Sequence, residues 1–314
     1  MDWRDLEAFR AVAEELSFTR AASRMHITQP ALSARIRRLE RRLGVPLLHR
    51  STRRVALSDR GERLLHHILR LDRMWHHALA DVTEKERRFV LVTAVPELGS
   101  VVEAASREYP GLTLEHVLAP ADAALPSLEL GEHDAVQGND RLFHPLPTPP
   151  NARTETIVHE PVWVMLPVSH RLAARPVVPL SELAGEAWIE HPCARDELTR
   201  LCAAAGFQPD IRYHGSTMQL VEHLRGGRAV SLIAARVRPP AGCVVRPLDV
   251  DVRRRLFFAW HVDSPGDVAA LLLRELRQRY WELAAGNPAY HAFIRSQPHQ
   301  FRELTGEPAQ ALAG

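Results

Sequence analysis

The sequence predicts an α/β multidomain protein: an N-terminal all-α winged helix-turn-helix, a linker helix and a two-lobed α/β body. Three observations predict this fold class. The length of 314 residues suits about two domains. Residues 1–60 combine helical periodicity with 13 arginines against 7 acidic residues. From residue 88 onward, strand-like and helix-like runs alternate, which is typical of a mainly parallel sheet.

The net charge of +2 hides an uneven distribution. Residues 1–60 carry +6 and the remaining 254 residues carry −4, which indicates a polyanionic partner for the first segment only. The N-terminus has no apolar signal segment, and the three cysteines form no CxxC pair. We therefore expect a cytoplasmic protein with no membrane contact and no disulfide framework.

Apolar residues at helical spacing predict three short helices before residue 44. The first runs from about Trp3 to Leu16. Ser17 suits the N-cap of the second helix, and Thr28 suits that of the third, with Pro30 in its first turn. The third helix ends at Gly44, as helices commonly do. Two helices joined by a tight turn predict a helix-turn-helix.

The third helix has two contrasting faces. Its core stripe consists of Leu32, Ile36, Leu39 and Leu43, and its opposite face carries Pro30, Ala34, Arg37, Arg38 and Arg41, flanked by Ser33 and Arg35. Small side chains at the N-terminal end permit close approach to a major groove. Gln29 and Ser33 suit bonds to base edges there, and the later arginines suit phosphates.

Residues 45–57 predict a β-hairpin wing, because two short apolar runs flank a polar turn. Arg53 and Arg54 at its tip suit the minor groove or phosphates. The alternative is a solvated arginine-rich helical domain. The agreement among caps, turn and wing favours DNA binding.

The runs LSFTRAA (residues 16–22), ITQPALS (27–33) and LGVPLL (43–48) resemble the N-terminal domain of LysR-type transcriptional regulators. The resemblance covers nearly all of residues 1–60. It implies that Gln29, Pro30 and Ser33 lie in the major groove of DNA and that the wing arginines bind the DNA backbone. Ala34 departs from the larger polar residue of many relatives, so base preference is not carried over there. The candidate DNA-binding residues are Ser17, Thr19, Arg20, Thr28, Gln29, Pro30, Ser33, Arg35, Arg37, Arg38, Arg53 and Arg54.

Residues 59–86 predict a linker helix capped by Ser58. A heptad-like apolar seam runs along it through Leu64, Ile68, Leu71, Trp75, Ala78 and Val82. The seam packs either against the chain's own body or against the same helix of a second subunit. The family resemblance favours the second arrangement and implies a dimer or tetramer. The four histidines of this helix lack i, i+3 or i, i+4 spacing, so we expect no metal site within it and no cofactor.

The body, residues 88–285, resembles the effector domain of the same family, which is similar to periplasmic solute-binding proteins. The predicted lobes are residues 88–160 with 265–285, and residues 161–264. The strand at Leu256–Trp260 and the helix from Asp267 lead back to the first lobe. Residues 286–314 form a C-terminal extension, for which the sequence allows either a docking helix or an unstructured segment.

Effectors of such two-lobed folds bind between the lobes. Polar groups near predicted strand ends give the candidate contacts Thr93, Ala94, Gln137, Asn139, His191, Cys193, Ser216 and Thr217. Ordinary loop polarity is the alternative for each of them. The segment between Val92 and Tyr109 is shorter than is usual in the family, so an unusual effector, or none, is consistent with the sequence.

Cys193 and Cys202 resemble the redox pair of the peroxide-sensing members of the family. Arg195 and the helix that begins at Asp196 suit a lowered thiol pKa at Cys193. The alternative for Cys202 is a small apolar residue on the buried side of that helix.

No GxGxxG, GxxxxGK[ST], GxSxG or HExxH motif is present, so we expect no enzymatic activity. An enzyme built on the two-lobed body leaves the basic N-terminal domain unexplained, and a solute-binding module is disfavoured without an export signal. The sequence indicates a sequence-specific DNA-binding transcription factor that responds to a small molecule. The resemblance implies three partners: double-stranded promoter DNA with an interrupted inverted repeat, a second copy of the chain, and RNA polymerase.

Overall fold

The computed structural model describes residues 2–50, 55–83, 87–94, 101–109, 111–190, 195–215 and 217–305. Residues 2–57, hereafter the head, contain the predicted three helices and hairpin. The elements are α1 (Trp3–Glu15), α2 (Phe18–Arg24), α3 (Gln29–Leu43), β1 (Leu48–Arg50) and β2 (Val55–Leu57). The two strands pair antiparallel. The hairpin tip with Arg53 and Arg54 lies outside the described residues.

The predicted helix boundaries in the head are confirmed by their capping contacts. The Ser17 hydroxyl accepts the amide of Arg20, and the Thr28 hydroxyl accepts the amide of Ala31. Gly44 ends α3 with φ at 70°, a left-handed conformation that favours glycine. Each of these signals is local, which is why the sequence reveals it.

One apolar core holds the three helices together. Phe9, Leu32, Ile36 and Leu39 are fully buried in it. The prediction for Leu43 is wrong, because this last residue of α3 lies past the core and is 38% exposed.

The linker helix α4 (Asp59–Thr83) is fastened to the head. The Ser58 hydroxyl accepts the amide of Gly61 at 3.0 Å and donates to the carbonyl of Pro46 at 2.8 Å. A Cβ at Gly61 would collide with the carbonyl oxygen of Leu47, so only glycine permits this approach.

The predicted seam of α4 divides into two parts. Ile68 is buried in the head core, and Leu64 packs against it. Leu71, Trp75 and Val82 are 47%, 58% and 83% exposed. Packing within the chain therefore accounts for the first part of the seam, and the second part remains on the surface of the single chain.

The first lobe begins with the alternation of strands and helices that the sequence predicts, and a third strand follows. Its elements are β3 (Arg87–Thr93), α5 (Val101–Glu108), β4 (Leu112–Leu118), α6 (Ala121–Glu129) and β5 (Ala135–Asn139). β3 lies between β4 and β5 and is parallel to both. Two further elements complete the lobe, β11 (Arg253–His261), which is antiparallel to β5, and α9 (Gly266–Ala285), which packs against α5.

A 16-residue strand, β6 (Ala152–Pro167), runs from one lobe into the other. Its first part pairs with β11, and its second part pairs with the strands of the second lobe. That lobe contains β7 (Ala187–Glu190), α7 (Arg195–Ala204), β8 (Asp210–His214), α8 (Thr217–Arg225), β9 (Ser231–Ala234) and β10 (Cys243–Arg246). β7 and β8 are parallel, and Trp188 of β7 bridges to Val230.

The structure refines the predicted lobes. The boundary predicted at residue 160 falls inside β6, which begins at Ala152, and the structure adds β10. β11 lies between β5 and β6 in the first lobe, which confirms the return of Leu256–Trp260. A second-lobe boundary at residue 264 is therefore too late, because the chain re-enters the first lobe at Arg253.

The C-terminal extension folds back onto the body over residues 288–305. It forms α10 (Pro288–Ser296), a 3-10 turn at Pro298–Phe301 and α11 (Arg302–Thr305). Tyr290, Ile294 and Phe301 are buried in the core of the body. Of the two possibilities left open by the sequence, docking holds for these residues. Within the described ranges, no helix is both long and apolar enough to cross a bilayer.

Candidate nucleic-acid interface and interlobe cleft

The first turn of α3 presents polar side chains on the surface of the head. Gln29 and Pro30 are exposed, and Ser33 is half-buried one turn later. The Gln29 carboxamide makes no hydrogen bond to another described residue, so its donor and acceptor are both available. A carboxamide in this position is suited to the paired donor and acceptor of an adenine edge.

The arginines of α3 fall into two groups. Arg37 is exposed and has no partner among the described residues. Arg38 donates to the carboxylate of Asp5 at 2.9 Å, and Arg35 donates to the carbonyl of Arg4 at 3.3 Å. Arg35 and Arg38 therefore tie α3 to α1, a role that sequence reasoning missed because the partners lie about thirty residues away.

Asp5 is buried, with 2% of its surface exposed. Burial alone would raise its pKa, but the hydrogen bond and the charge of Arg38 outweigh that effect. The pKa of Asp5 therefore lies below its ordinary value. The carboxylate stays charged and fixes the angle between α1 and α3.

The candidates of α2 differ in the same way. Thr19 is exposed at the start of the helix. Arg20 is also exposed, but its guanidinium donates to the carboxylate and the carbonyl of Glu15. Ser17 caps the helix through its hydroxyl. Arg20 and Ser17 thus have structural contacts within the head, while Thr19 faces solvent.

The wing is joined to α3 by a side chain that the sequence analysis did not single out. The Glu40 carboxylate accepts the amides of Leu47 and Leu48 at 3.0 and 3.3 Å. This contact holds the first strand of the wing at the end of the recognition helix. A glutamate before a glycine turn is the available sequence signal, although it is not specific.

Four of the predicted effector contacts lie at the carboxyl ends of β3 and β5. The Ala94 amide donates to the carbonyl of Gln137, which joins the two strand ends. Thr93 is buried, with its hydroxyl 2.6 Å from Nε2 of His116. Gln137 is fully buried, and its Oε1 has no hydrogen-bond partner among the described residues. Asn139 follows, and its side-chain Nδ2 donates to the backbone carbonyl of Asp140.

The predicted contacts from the second lobe cannot be placed in the same way. His191, Cys193 and Ser216 lie outside the described residues, and Thr217 begins α8. A described residue of this lobe that does reach the first lobe is Glu197, in the first turn of α7.

Glu197 forms a contact between the lobes. Its carboxylate accepts the amide of Leu142 from the first lobe at 2.7 Å and a bond from Arg254 at 2.9 Å. Only 6% of Glu197 is exposed. The available sequence signal for this contact is the run of arginines at residues 253–255, which needs acidic partners if it is to be buried.

Cys202 lies in the core of the second lobe, with 0% of its surface exposed. Burial raises the pKa of its thiol to about 12. The structure therefore gives Cys202 the surroundings of a small apolar side chain. Cys193, the other member of the predicted pair, lies outside the described residues.

Two family models match the chain. Residues 3–62 match the bacterial regulatory helix-turn-helix protein of the lysR family, and residues 92–281 match the LysR substrate binding domain. The second match alone covers more than half of the chain.

Known proteins match over most of their length. The DNA-binding transcriptional dual regulator OxyR of Escherichia coli is 27% identical over 307 residues, covering 90% of this chain and 94% of OxyR. The regulator XapR of the same species is 29% identical, covering 88% and 98%.

Solved structures share the fold over most of the chain. A variant of full-length OxyR from Pseudomonas aeruginosa superposes with a TM-score of 0.67 at 21% identity, covering 88% of this chain and 95% of that one. CbnR in complex with its target DNA gives a TM-score of 0.58 at 21% identity, covering 89% and 100%. Together with the two family models, these matches show that the chain belongs to the LysR family of DNA-binding transcriptional regulators.

Proposed function

We propose that two or four copies of this chain bind an interrupted inverted repeat through paired heads and change transcription when a small molecule occupies the interlobe cleft. The observation that carries the proposal is the exposed face of α3, with free polar groups at its start and an unpaired arginine two turns later. That order suits base reading at the tip and phosphate binding further along.

Specific roles follow from this arrangement. Gln29 and Ser33 read base edges, and Pro30 packs against the groove. Arg37, together with Arg53 and Arg54 of the wing, binds phosphates. Thr28, Ser17 and Arg20 hold the reading helices through their contacts within the head, as do Arg35 and Arg38.

Oligomers form through α4. Its exposed apolar side chains Leu71, Met74, Trp75, Leu79 and Val82 are between 40% and 83% exposed in the single chain. Such a stripe on a helix is suited to burial against the same stripe of a second copy. Sedimentation of the Trp75→Glu variant tests this assignment, since a charge at the centre of the stripe should give a monomer.

The effector lies between the lobes at the ends of β3 and β5. Thr93, Ala94, Gln137 and Asn139 contact it from the first lobe, and His191, Cys193, Ser216 and Thr217 contact it from the second. The unpaired buried Oε1 of Gln137 favours a ligand that donates a hydrogen bond, since buried polar groups are normally satisfied. The domain binds and signals without catalysing a reaction, and the bound and free states differ in their contact with RNA polymerase.

A gel shift with the DNA upstream of the chain's own gene tests the DNA-binding proposal. Affinity should fall steeply as salt rises, because bound arginines release counterions from phosphates. Arg53→Ala should weaken binding to every sequence. Equal binding by wild type, Arg53→Ala and Gln29→Ala would contradict the assigned roles.

A thiol switch is a second candidate, because OxyR is among the relatives and Cys193 stands nine residues before Cys202. Several other relatives carry the name hydrogen peroxide-inducible genes activator. Peroxide oxidises the Cys193 thiol to a sulfenic acid with loss of water, and the Cys202 thiol then forms the disulfide with loss of a second water. Mass spectrometry after peroxide treatment and alkylation decides the matter: a Cys193–Cys202 peptide supports the switch, and two alkylated thiols reject it.

A further inference from the structure

The C-terminal extension, which neither family model covers, borders a groove on the second lobe. Residues 286–305 follow the end of the second match at residue 281. Two contacts anchor the extension to the body. The side-chain Nδ2 of Asn287 donates to the carbonyls of Ala235 and Val237, and the hydroxyls of Tyr290 and Tyr280 lie 2.8 Å apart. α10 therefore has a fixed position at the edge of the groove.

The groove runs between α10 and the second lobe and has a volume of about 420 Å³. That volume lies within the range of small-molecule sites. α10 lines it with Ala289, Ala292, Phe293 and Ser296, whose side chains are mostly small. The second lobe contributes the opposite side.

The apolar part of the lining contains the half-buried ring of Phe293, backed by the buried ring of Trp163. Trp163 and Phe293 meet edge to face, with ring centroids 5.6 Å apart. Trp163 is also held by Tyr290 at 5.6 Å, so its ring position is fixed from two sides. Pro176 and Pro247 line the groove as well. Rigid aromatic and proline surfaces favour a planar apolar ligand.

The polar part of the lining is cationic. Arg246 donates from Nε to the carbonyl of Ala173 at 2.9 Å and from Nη1 to that of Val245 at 3.1 Å. Its Nη2 makes no hydrogen bond within the part of the chain that the structure describes.

Arg175 adds a second positive charge, and its partner Glu182 is 3.6 Å away and already shared with Arg171. No acidic side chain is among the described residues that line the groove. An arginine held by two carbonyls with a third nitrogen free is suited to a carboxylate.

We propose that this groove binds a planar aromatic monocarboxylate as a second small-molecule site, separate from the interlobe cleft. The ring lies against Phe293, whose position the buried Trp163 fixes from behind, and the carboxylate accepts from Arg246. Because Gln137 and the other candidates of the cleft do not line the groove, the two sites are independent.

Calorimetric titration of the full-length chain with 2-naphthoate and with 2-naphthamide tests the site. The two probes have the same shape and differ in charge. The acid should bind one site per chain, about tenfold or more tighter than the amide, because a charged hydrogen bond is lost in the amide. Equal affinities, or no binding of the acid at millimolar concentration, would overturn the proposal.

Variants then locate the site. Arg246→Gln should reduce the affinity for the acid to that for the amide. Ala292→Trp should fill the groove and abolish binding of both probes. Ala270→Trp makes the same change at an exposed position of α9 and should leave binding unchanged. Loss of binding in the cleft variant Gln137→Ala, with binding retained in Ala292→Trp, would place the ligand in the cleft and reject the second site.

Discussion

Arginines of the head and arginines of the body differ in what holds them. Arg37 and Arg41 of α3 are exposed and have no partner among the described residues. In the body, Arg236 is 9% exposed and is paired with Glu160, which is 1% exposed. Arg255 likewise donates to a nearly buried carboxylate. Arginines of α3 are therefore available for DNA, whereas Arg236 and Arg255 of the body are held by buried carboxylates.

The comparison shows that formal charge overstates the DNA-binding surface. The head carries a surplus of arginines, yet Arg10, Arg35 and Arg38 are engaged with Asp72, Arg4 and Asp5. Within the described part of the chain, Arg37 and Arg41 remain free on one side of α3. Contacts within the fold therefore determine which arginines of the head are free to bind phosphates.

The largest expected effect comes from breaking the pair in the body. Arg236→Met leaves the Glu160 charge buried without its partner, beside the Tyr280 hydroxyl that donates to it at 3.0 Å. Loss of one partner of a buried pair costs about 3–5 kcal/mol of unfolding free energy. Urea unfolding of the full-length chain, followed by far-UV circular dichroism, measures this change.

A matched control comes from an exposed pair of the same body. Arg274 and Glu108 are both more than half exposed, so Arg274→Met should cost less than about 1 kcal/mol. Equal losses in the two variants would remove the distinction between buried and exposed arginines.

The same distinction explains how much of the fold was predictable. The helix ends at Ser17, Thr28 and Gly44 are predictable because each of these residues makes its capping contact within a few residues. Sequence patterns do not predict β10 or the first half of β6, because their ladders join residues about 75 to 110 apart along the chain. Strand pairing at that distance leaves no local pattern.

The candidate sites divide in the same manner. The exposure of Gln29 and Arg37 follows from helical spacing alone, and the structure agrees. The contacts of Glu197 with Leu142 and Arg254 span 55 and 57 residues, so no spacing rule reveals them. Sequence reasoning finds the face of a helix more readily than the partner across a cleft.

The next effect concerns base reading in the head. Gln29→Ala should lower affinity for the specific operator by about 1–3 kcal/mol and leave non-specific binding nearly unchanged, because a base-edge contact is lost. Gel shifts with the operator and with a scrambled duplex measure the specific and the non-specific affinity. An equal loss on the two duplexes would assign Gln29 to the backbone instead.

A smaller effect separates two neighbouring arginines. Arg37→Ala should reduce the slope of log affinity against log salt by about one, the loss of a single phosphate contact. Arg38→Ala should change the slope less, because Asp5 already holds that guanidinium at 2.9 Å. Titrations at several salt concentrations give both slopes. Identical slopes for the two variants would show that the pair with Asp5 opens on DNA.

The smallest effect is a pH dependence of the head. Because the pKa of Asp5 is lowered in the folded chain, its ionised form stabilises the head at pH values above its ordinary pKa of about 3.9. That stabilisation is lost as the pH falls through the lower pKa of the folded state. Asp5→Asn lacks the titration, so wild type should have the higher melting temperature near neutral pH, and the difference should shrink below about pH 3.9.

Arg38→Gln isolates the cause of that shift. Burial by itself raises the pKa of Asp5, and the bond and charge of Arg38 reverse the direction. Without the guanidinium, the pKa of Asp5 is lowered less, and acid should destabilise the head less than it destabilises wild type. Melting curves of wild type, Asp5→Asn and Arg38→Gln between pH 3 and pH 7 test this, since about pH 3.9 is where an ordinary aspartate titrates. An unchanged acid sensitivity in Arg38→Gln would mean that this arginine is as free for DNA as Arg37.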